Sequence, residues 1–207
     1  IELNEIIAAK AISWRSRGVV AIDIAGPVVE SFRFGDYADI FAECRRAGLG
    51  VTVHAGETGG PDEVREAVEA LEPTRIGHGI KSALDPKVMD LLRERQVVLE
   101  ICPSSNLSTR VVRDLREVRQ LLGRLIEHEV PFAVSTDGPE MLRSYLRDEL
   151  NLLLRNEILT LDEVHRSLQV AHDASFVDRA PVREPAPLPL HHASADRDAP
   201  FSVEVGV

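Results

Sequence analysis

Five short apolar runs, each leaving into polar or glycine-rich residues, constrain this chain most: "VVAIDIAG" (19–26), "LGVTVHAGE" (49–57), "RIGHG" (75–79), "VVLEICPSS" (97–105) and "PFAVSTDGP" (131–139). Segments of helical period separate most of them, and such alternation predicts parallel strands covered by helices. Their near-continuous apolar character reads as strands buried on both faces. The helices carry start signals. In "GGPDEVREAVEALE", Pro61 stands where a missing N–H costs nothing, and Asp62 and Glu63 meet the positive end of the dipole, predicting a helix over 61–72. Asp85 before Pro86 repeats the device as an N-cap, and Thr160 with Glu163 forms a capping box. The opening "IELNEIIAAKAISWRSRG" is helix-like, and its start at Ile1 reads as a cut through a larger protein or the product of processing. Residues 1–180 form the predicted folded unit. The proline- and alanine-dense 181–207 has no period and reads as a C-terminal tail, extended or disordered.

Five β/α units fit either an open doubly wound sheet or part of an eight-stranded barrel. No strand leads into GxGxxG and no GxxxxGK[ST] occurs, so neither phosphate cradle is present. The charge balance, 24 basic against 34 acidic residues for a net of -10, argues against a nucleic-acid or anionic-membrane surface. Two cysteines, Cys44 and Cys102, without a CxxC, fit a reducing cytoplasm. No apolar stretch approaches the roughly 18 residues of a membrane helix and no signal peptide is evident, so the expectation is a soluble, cytoplasmic protein.

The strand ends offer ionisable groups: Asp23, His54, Glu57, His78, Glu100 and Asp137. In a straight strand His54 and Glu57 would face opposite sides, but Ala55-Gly56 lets the backbone turn out and bring the carboxylate back over the mouth of a barrel. Glycines flank His78, leaving space for a ligand at its imidazole, and Asp137 ends a strand before the turn-forming Gly138-Pro139. Taken singly, each has a plainer reading as a core histidine or a turn former. Three on successive strand ends suggest a shared site. An imidazole and a carboxylate suit Zn²⁺, with a second histidine and carboxylate left for proton transfer, which reads as metal-assisted attack of water. A catalytic zinc takes about three protein ligands. Only His54 and Asp137 stand out, no HxH pair occurs, and His191-His192 lie in the tail.

The set "DIAG" (23–26), "HAGE" (54–57), "RIGHG" (75–79), "EICPSSN" (100–106) and "STDGP" (135–139), with the late "AHDASF" (171–176), resembles the adenosine deaminase family of the amidohydrolase superfamily over about residues 10–177. The resemblance implies a zinc-containing (β/α)8 barrel of the TIM type, with about five C-terminal units in this chain. It also implies hydrolytic removal of the 6-amino group of a purine such as adenosine, giving the 6-oxo product, inosine, and ammonia. It makes His54 and Asp137 zinc ligands, with Asp137 also a partner of the attacking water. Glu57 becomes the acid that protonates the ring nitrogen, His78 the group that orients and supports the water, and Gly26 a backbone contact to the purine. Two departures from the family pattern stand out. The HxH strand is absent, so a preceding portion or an oligomer partner is expected to close the barrel. Gly138 replaces a second aspartate that contacts the purine, which favours adenine or another modified aminopurine as an alternative substrate, with Glu140 as a candidate replacement. An incomplete, inactive homologue serving as a binding or structural module is the reading from another class. The other zinc deaminase signature, HxE with PCxxC, does not fit.

Overall fold

Each apolar run forms a strand of one parallel sheet in the computed structural model, which describes residues 1–26 and 31–177. The tail assigned to 181–207 lies outside the described residues. The strands are β1 (Ala21–Ile24), β2 (Gly50–Ala55), β3 (Arg75–His78), β4 (Val98–Ile101) and β5 (Phe132–Val134). Each pairs with its neighbour in sequence, in the order β1-β2-β3-β4-β5. The helices are α1 (Glu2–Ser13), α2 (Ala38–Arg46), α3 (Pro61–Leu71), α4 (Pro86–Arg95), α5 (Pro103–Ser108), α6 (Leu115–Glu127), α7 (Pro139–Leu142), α8 (Leu146–Arg155) and α9 (Leu161–Asp173). Sequential order without a switch point is the order of a barrel wall.

The two faces of the sheet differ most on β1 and β2, which corrects the reading of strands buried on both faces there, whereas β4 and β5 are almost wholly buried. Val51, Val53, Ile76, Leu99, Ile101 and Val134 are buried in the main core with Val64, Val68, Leu71, Leu122 and Leu125 of the covering helices. Each large aliphatic side chain so buried contributes about 1.5–3 kcal/mol. The alternate positions carry Asp23, Thr52, His54, Arg75, Gly77 and Glu100, which share registers across β1 to β4. This face is small and polar because it is the wall beneath the site.

Helix α3 shows how the covering layer forms: Val64, Ala67, Val68 and Leu71, at the i, i+3, i+4, i+7 spacing, are its buried stripe. It ends at Leu71, one residue before the expected limit, where Glu72 turns left-handed at φ 46°. The expected caps are present: the Asp85 side chain accepts from Lys87 N, and Thr160 and Glu163 make a reciprocal box. Asp85 also holds Arg65 at 2.8 Å. Asp85→Ala is expected to lower stability by about 1 kcal/mol, the usual worth of an N-cap, read from the urea midpoint.

The segment after α9 plugs the N-terminal end of the sheet. The Phe176 ring lies 3.9 Å from Arg75 Cζ, and a Cβ on Gly50 would fall 2.3 Å from that ring. Arg75 donates to the Ala174 carbonyl at 2.8 Å and pairs with Glu100 at 2.9 Å. Glu100 in turn accepts from Thr52 Oγ1. At the other side of the sheet, Leu99 and Ser135 use the β4 side of the β4-β5 ladder, so Val134 N–H points outward. Ser167 Oγ of α9 accepts from it at 2.8 Å, so part of this edge is already covered.

Candidate active site

His54 ends the inner row of β2. A Cβ on Gly77 would lie 3.1 Å from the His54 ring, so Gly77 makes room for that imidazole. Gly79 likewise makes room for Leu99, whose Cδ2 lies 2.5 Å from where a Cβ would stand. This corrects the expectation that these glycines leave ligand space at His78. Asp23 Oδ2 of β1 lies 3.3 Å from His54 Nδ1. The Asp23 carboxylate raises the His54 pKa, with burial partly opposing it. A carboxylate on one ring nitrogen leaves Nε2 as the nitrogen free to meet a metal.

The turn that returns Glu57 is built by Gly56, whose φ is +68°. Gly56 N–H donates to Glu63 Oε2 at 2.6 Å, and a Cβ on Gly56 would fall 2.4 Å from Val64 Cγ2 and 3.1 Å from Gly79 Cα. The turn places Glu57 Oε2 3.7 Å from His78 Nε2.

His78 is only 3 % exposed and itself adopts a left-handed φ of 62°, a strained conformation for a side chain of its size. Asn106 of α5 fixes the ring: Asn106 Nδ2 donates to His78 Nδ1 at 3.1 Å, in the tautomer whose protonated Nε2 faces Glu57 and Asp137. Burial lowers the His78 pKa, against the pull of the carboxylates. Asp137, at the exit of β5, lies 3.9 Å from His78 Nε2 and accepts from Ser105 Oγ at 2.8 Å.

Donor atoms of His54, His78 and Asp137 all fall within 4.8 Å of one another, and among the described residues this is a group able to hold a metal ion. His54 and Asp137 are zinc-type donors and His78, with Asn106 on its Nδ1 and a proton on Nε2 in this tautomer, stands beside them, while the carboxylate behind His54 is the usual second partner of such a ligand. An open cavity of about 400 Å³ is lined by Gly26, His54, Glu57, His78 and Asp137. Gly138 stands beside it as the N-cap of α7, outside the lining. Glu140, the candidate replacement, accepts a hydrogen bond from Tyr145 OH at the exposed surface and is not part of the cavity lining. His191 and His192 lie outside the described residues.

Sequence reasoning noted Asp23 without a role and gave none to Ser105 or Asn106. The adjacency of "SN" to the first turn of a helix opening on Pro103 was the available signal.

The profile of the adenosine deaminase family matches residues 1–184. The chain belongs to the adenosine deaminase family. Among its relatives, aminodeoxyfutalosine deaminase of Acidothermus cellulolyticus is 41% identical over 150 residues, 69% of this chain and 41% of that protein. Adenosine deaminase of Vibrio cholerae is 42% identical over 139 residues, 67% of this chain and 39% of that protein. Adenine deaminase of Agrobacterium fabrum is 36% identical over 179 residues, 86% of this chain and 54% of that protein. The chain thus spans about half or less of the length of these relatives. The solved N6-mAMP deaminase of Arabidopsis superposes with a TM-score of 0.73 at 25% identity, over 86% of this chain and 51% of that one. The expected barrel architecture, with about five β/α units in this chain, is borne out. No helix among the described residues is long and apolar enough to cross a membrane.

Proposed function

We propose that this chain supplies the C-terminal part of the site of a zinc-dependent hydrolase that removes the 6-amino group of a purine, adenosine being converted to inosine and ammonia. The observation that carries the reading is the convergence of His54, Glu57, His78 and Asp137, from three strand ends and one turn, on a single cavity. His54 and Asp137 hold the metal, with further ligands supplied by a preceding portion of the barrel or an oligomer partner. When bound, zinc makes water acidic enough to yield a nucleophile near neutral pH.

The chain's own groups do the rest. Gly26, at the lip of the cavity, has no side chain to keep the purine edge from its backbone. Glu57 hands a proton to the ring nitrogen beside the reacting carbon, which makes that carbon more electrophilic. His78 Nε2, held by Asn106 behind it, and the Asp137 carboxylate together orient the water. The water oxygen adds to that carbon, one water proton passes to the amino group, the C–N bond breaks and ammonia leaves, and the other water proton restores the acid form of Glu57. Gly138 in place of a carboxylate removes one contact to the base. The relatives named for adenine and aminodeoxyfutalosine make a substrate other than adenosine the second reading. Ammonia release from adenosine, adenine and larger aminopurine nucleosides decides between them.

The intact protein is expected to bind about one zinc per chain. Asp137→Asn is expected to weaken that binding by about 100-fold or more, measured by competition with a chromogenic chelator. Affinity is also expected to fall as the pH is lowered. The Asp23 carboxylate holds the His54 proton to a higher pH than usual, and that proton competes with the metal. Intact protein free of stoichiometric zinc refutes the reading.

A further inference from the structure

Among the described residues Glu149 is the one buried carboxylate, and the chemistry above does not use it. It sits on α8, 1 % exposed, and follows the same buried stripe as Leu153. Burying a charge is costly unless donors meet it. Two do: Ser104 N–H donates to Oε2 at 3.0 Å, and Ser144 Oγ donates to Oε1 at 2.9 Å. Ser144 Oγ also lies 3.3 Å from Ser104 Oγ.

The two donors belong to the two segments that carry the site. Ser104 is in the first turn of α5, which has no side-chain cap from Cys102, so Glu149 satisfies one of its free N–H groups from another helix. The next two residues are Ser105, which holds Asp137, and Asn106, which holds His78. Ser144 lies between α7 and α8, on the stretch that continues from Asp137. One carboxylate therefore pins the turn bearing Asn106 to the chain leaving Asp137, and does so from behind the cavity.

We propose that Glu149 is a positioning residue that acts through Ser104 and Ser144 to hold Ser105 against Asp137 and Asn106 against His78, and so fixes the His78 tautomer. Its role in catalysis rests on the deaminase reading of the site, whereas its structural effect does not. The test therefore reads the ring itself. In the metal-free intact protein labelled with ¹⁵N-histidine, long-range ¹H–¹⁵N spectra at mildly alkaline pH report the tautomer of each imidazole, and the His78 signals are those lost in His78→Gln. The parent chain is expected to show His78 as a single tautomer protonated at Nε2. Glu149→Gln is expected to keep it, because the amide oxygen still accepts from Ser104 N–H and the Ser144 hydroxyl can turn to accept from the amide nitrogen. Glu149→Leu, similar in volume but without an acceptor, is expected to give averaged shifts of two tautomers and about a tenfold rise in the zinc dissociation constant, the lower range for loss of an outer-shell partner.

A folded Glu149→Leu chain that keeps the single tautomer overturns the proposal, as does a parent chain with mixed tautomers. If circular dichroism shows Glu149→Leu unfolded, Ser144→Ala takes its place. It removes one of the two donors and leaves the carboxylate bound at Ser104, so partial averaging supports the proposal and an unchanged tautomer overturns it. A locked tautomer in a parent protein that deaminates no aminopurine would instead refute the proposed activity and leave the positioning role standing.

Discussion

Glu57→Gln is expected to cut kcat/KM for the aminopurine by about 10²–10⁴-fold, the usual worth of a positioned general acid, while zinc content stays at the parental level. The side chain keeps its length and its place at the Gly56 turn, 3.7 Å from His78 Nε2, and still fills the cavity wall. It loses only the transferable proton. Because Glu57 is not among the metal-type donors His54, His78 and Asp137, metal binding and deamination separate in this variant. Metal analysis and initial rates on the same preparation of intact protein make the comparison direct. A zinc-replete variant with parental kcat/KM would remove Glu57 from the acid role, and loss of zinc would reassign it as a ligand.

How much of this was legible in the sequence depends on whether a feature is local. The cap residues Asp85 and Thr160, and Pro61 at the start of α3, act on backbone groups two or three positions away, so spacing alone located them. The site residues on strand ends were readable for a similar reason: a strand that runs into His-Ala-Gly-Glu or Thr-Asp-Gly-Pro must deliver those side chains to one rim of a parallel sheet. The polar inner face escaped because Val and Ile on the outer rows of β2 to β4 dominate the hydropathy, while Thr52, Arg75 and Glu100 are inward only once the register is known. The partners behind the site were least readable. Asp23 meets His54 across 31 residues, Asn106 meets His78 across 28, and Glu149 meets Ser104 across 45. Asp23 and Asn106 left only their places, one as an ionisable strand end and one in the "SN" of the helix opening on Pro103, and Glu149 a charge four residues before Leu153 on the buried face of its helix. The left-handed backbone of His78 left none beyond its flanking glycines.

Gly56→Ala is expected to lower stability by about 2–5 kcal/mol, the sum of two separable penalties. The first is conformational: φ at Gly56 is +68°, and an L side chain there costs about 1–2 kcal/mol. The second is steric and costs about 1–3 kcal/mol, because the added Cβ would lie 2.4 Å from Val64 Cγ2 and 3.1 Å from the Gly79 Cα. Val64 is fully buried and β-branched, with no rotamer into which it can swing freely. Relief must come from moving α3 or the β3 exit, and the Gly56 N–H bond to Glu63 ties the turn to that same helix. The displacement then carries Glu57 away from His78, so activity is expected to fall further than stability alone would cause. Val64→Ala in the same chain separates the penalties. It opens the space that the new Cβ needs but leaves φ unchanged, so the double variant should show a favourable coupling of about 1–2 kcal/mol in urea unfolding. No coupling would place the whole cost in the backbone. The "HAGE" turn would then need glycine for its left-handed conformation alone, and close packing against α3 would have no part in holding Glu57 over the site.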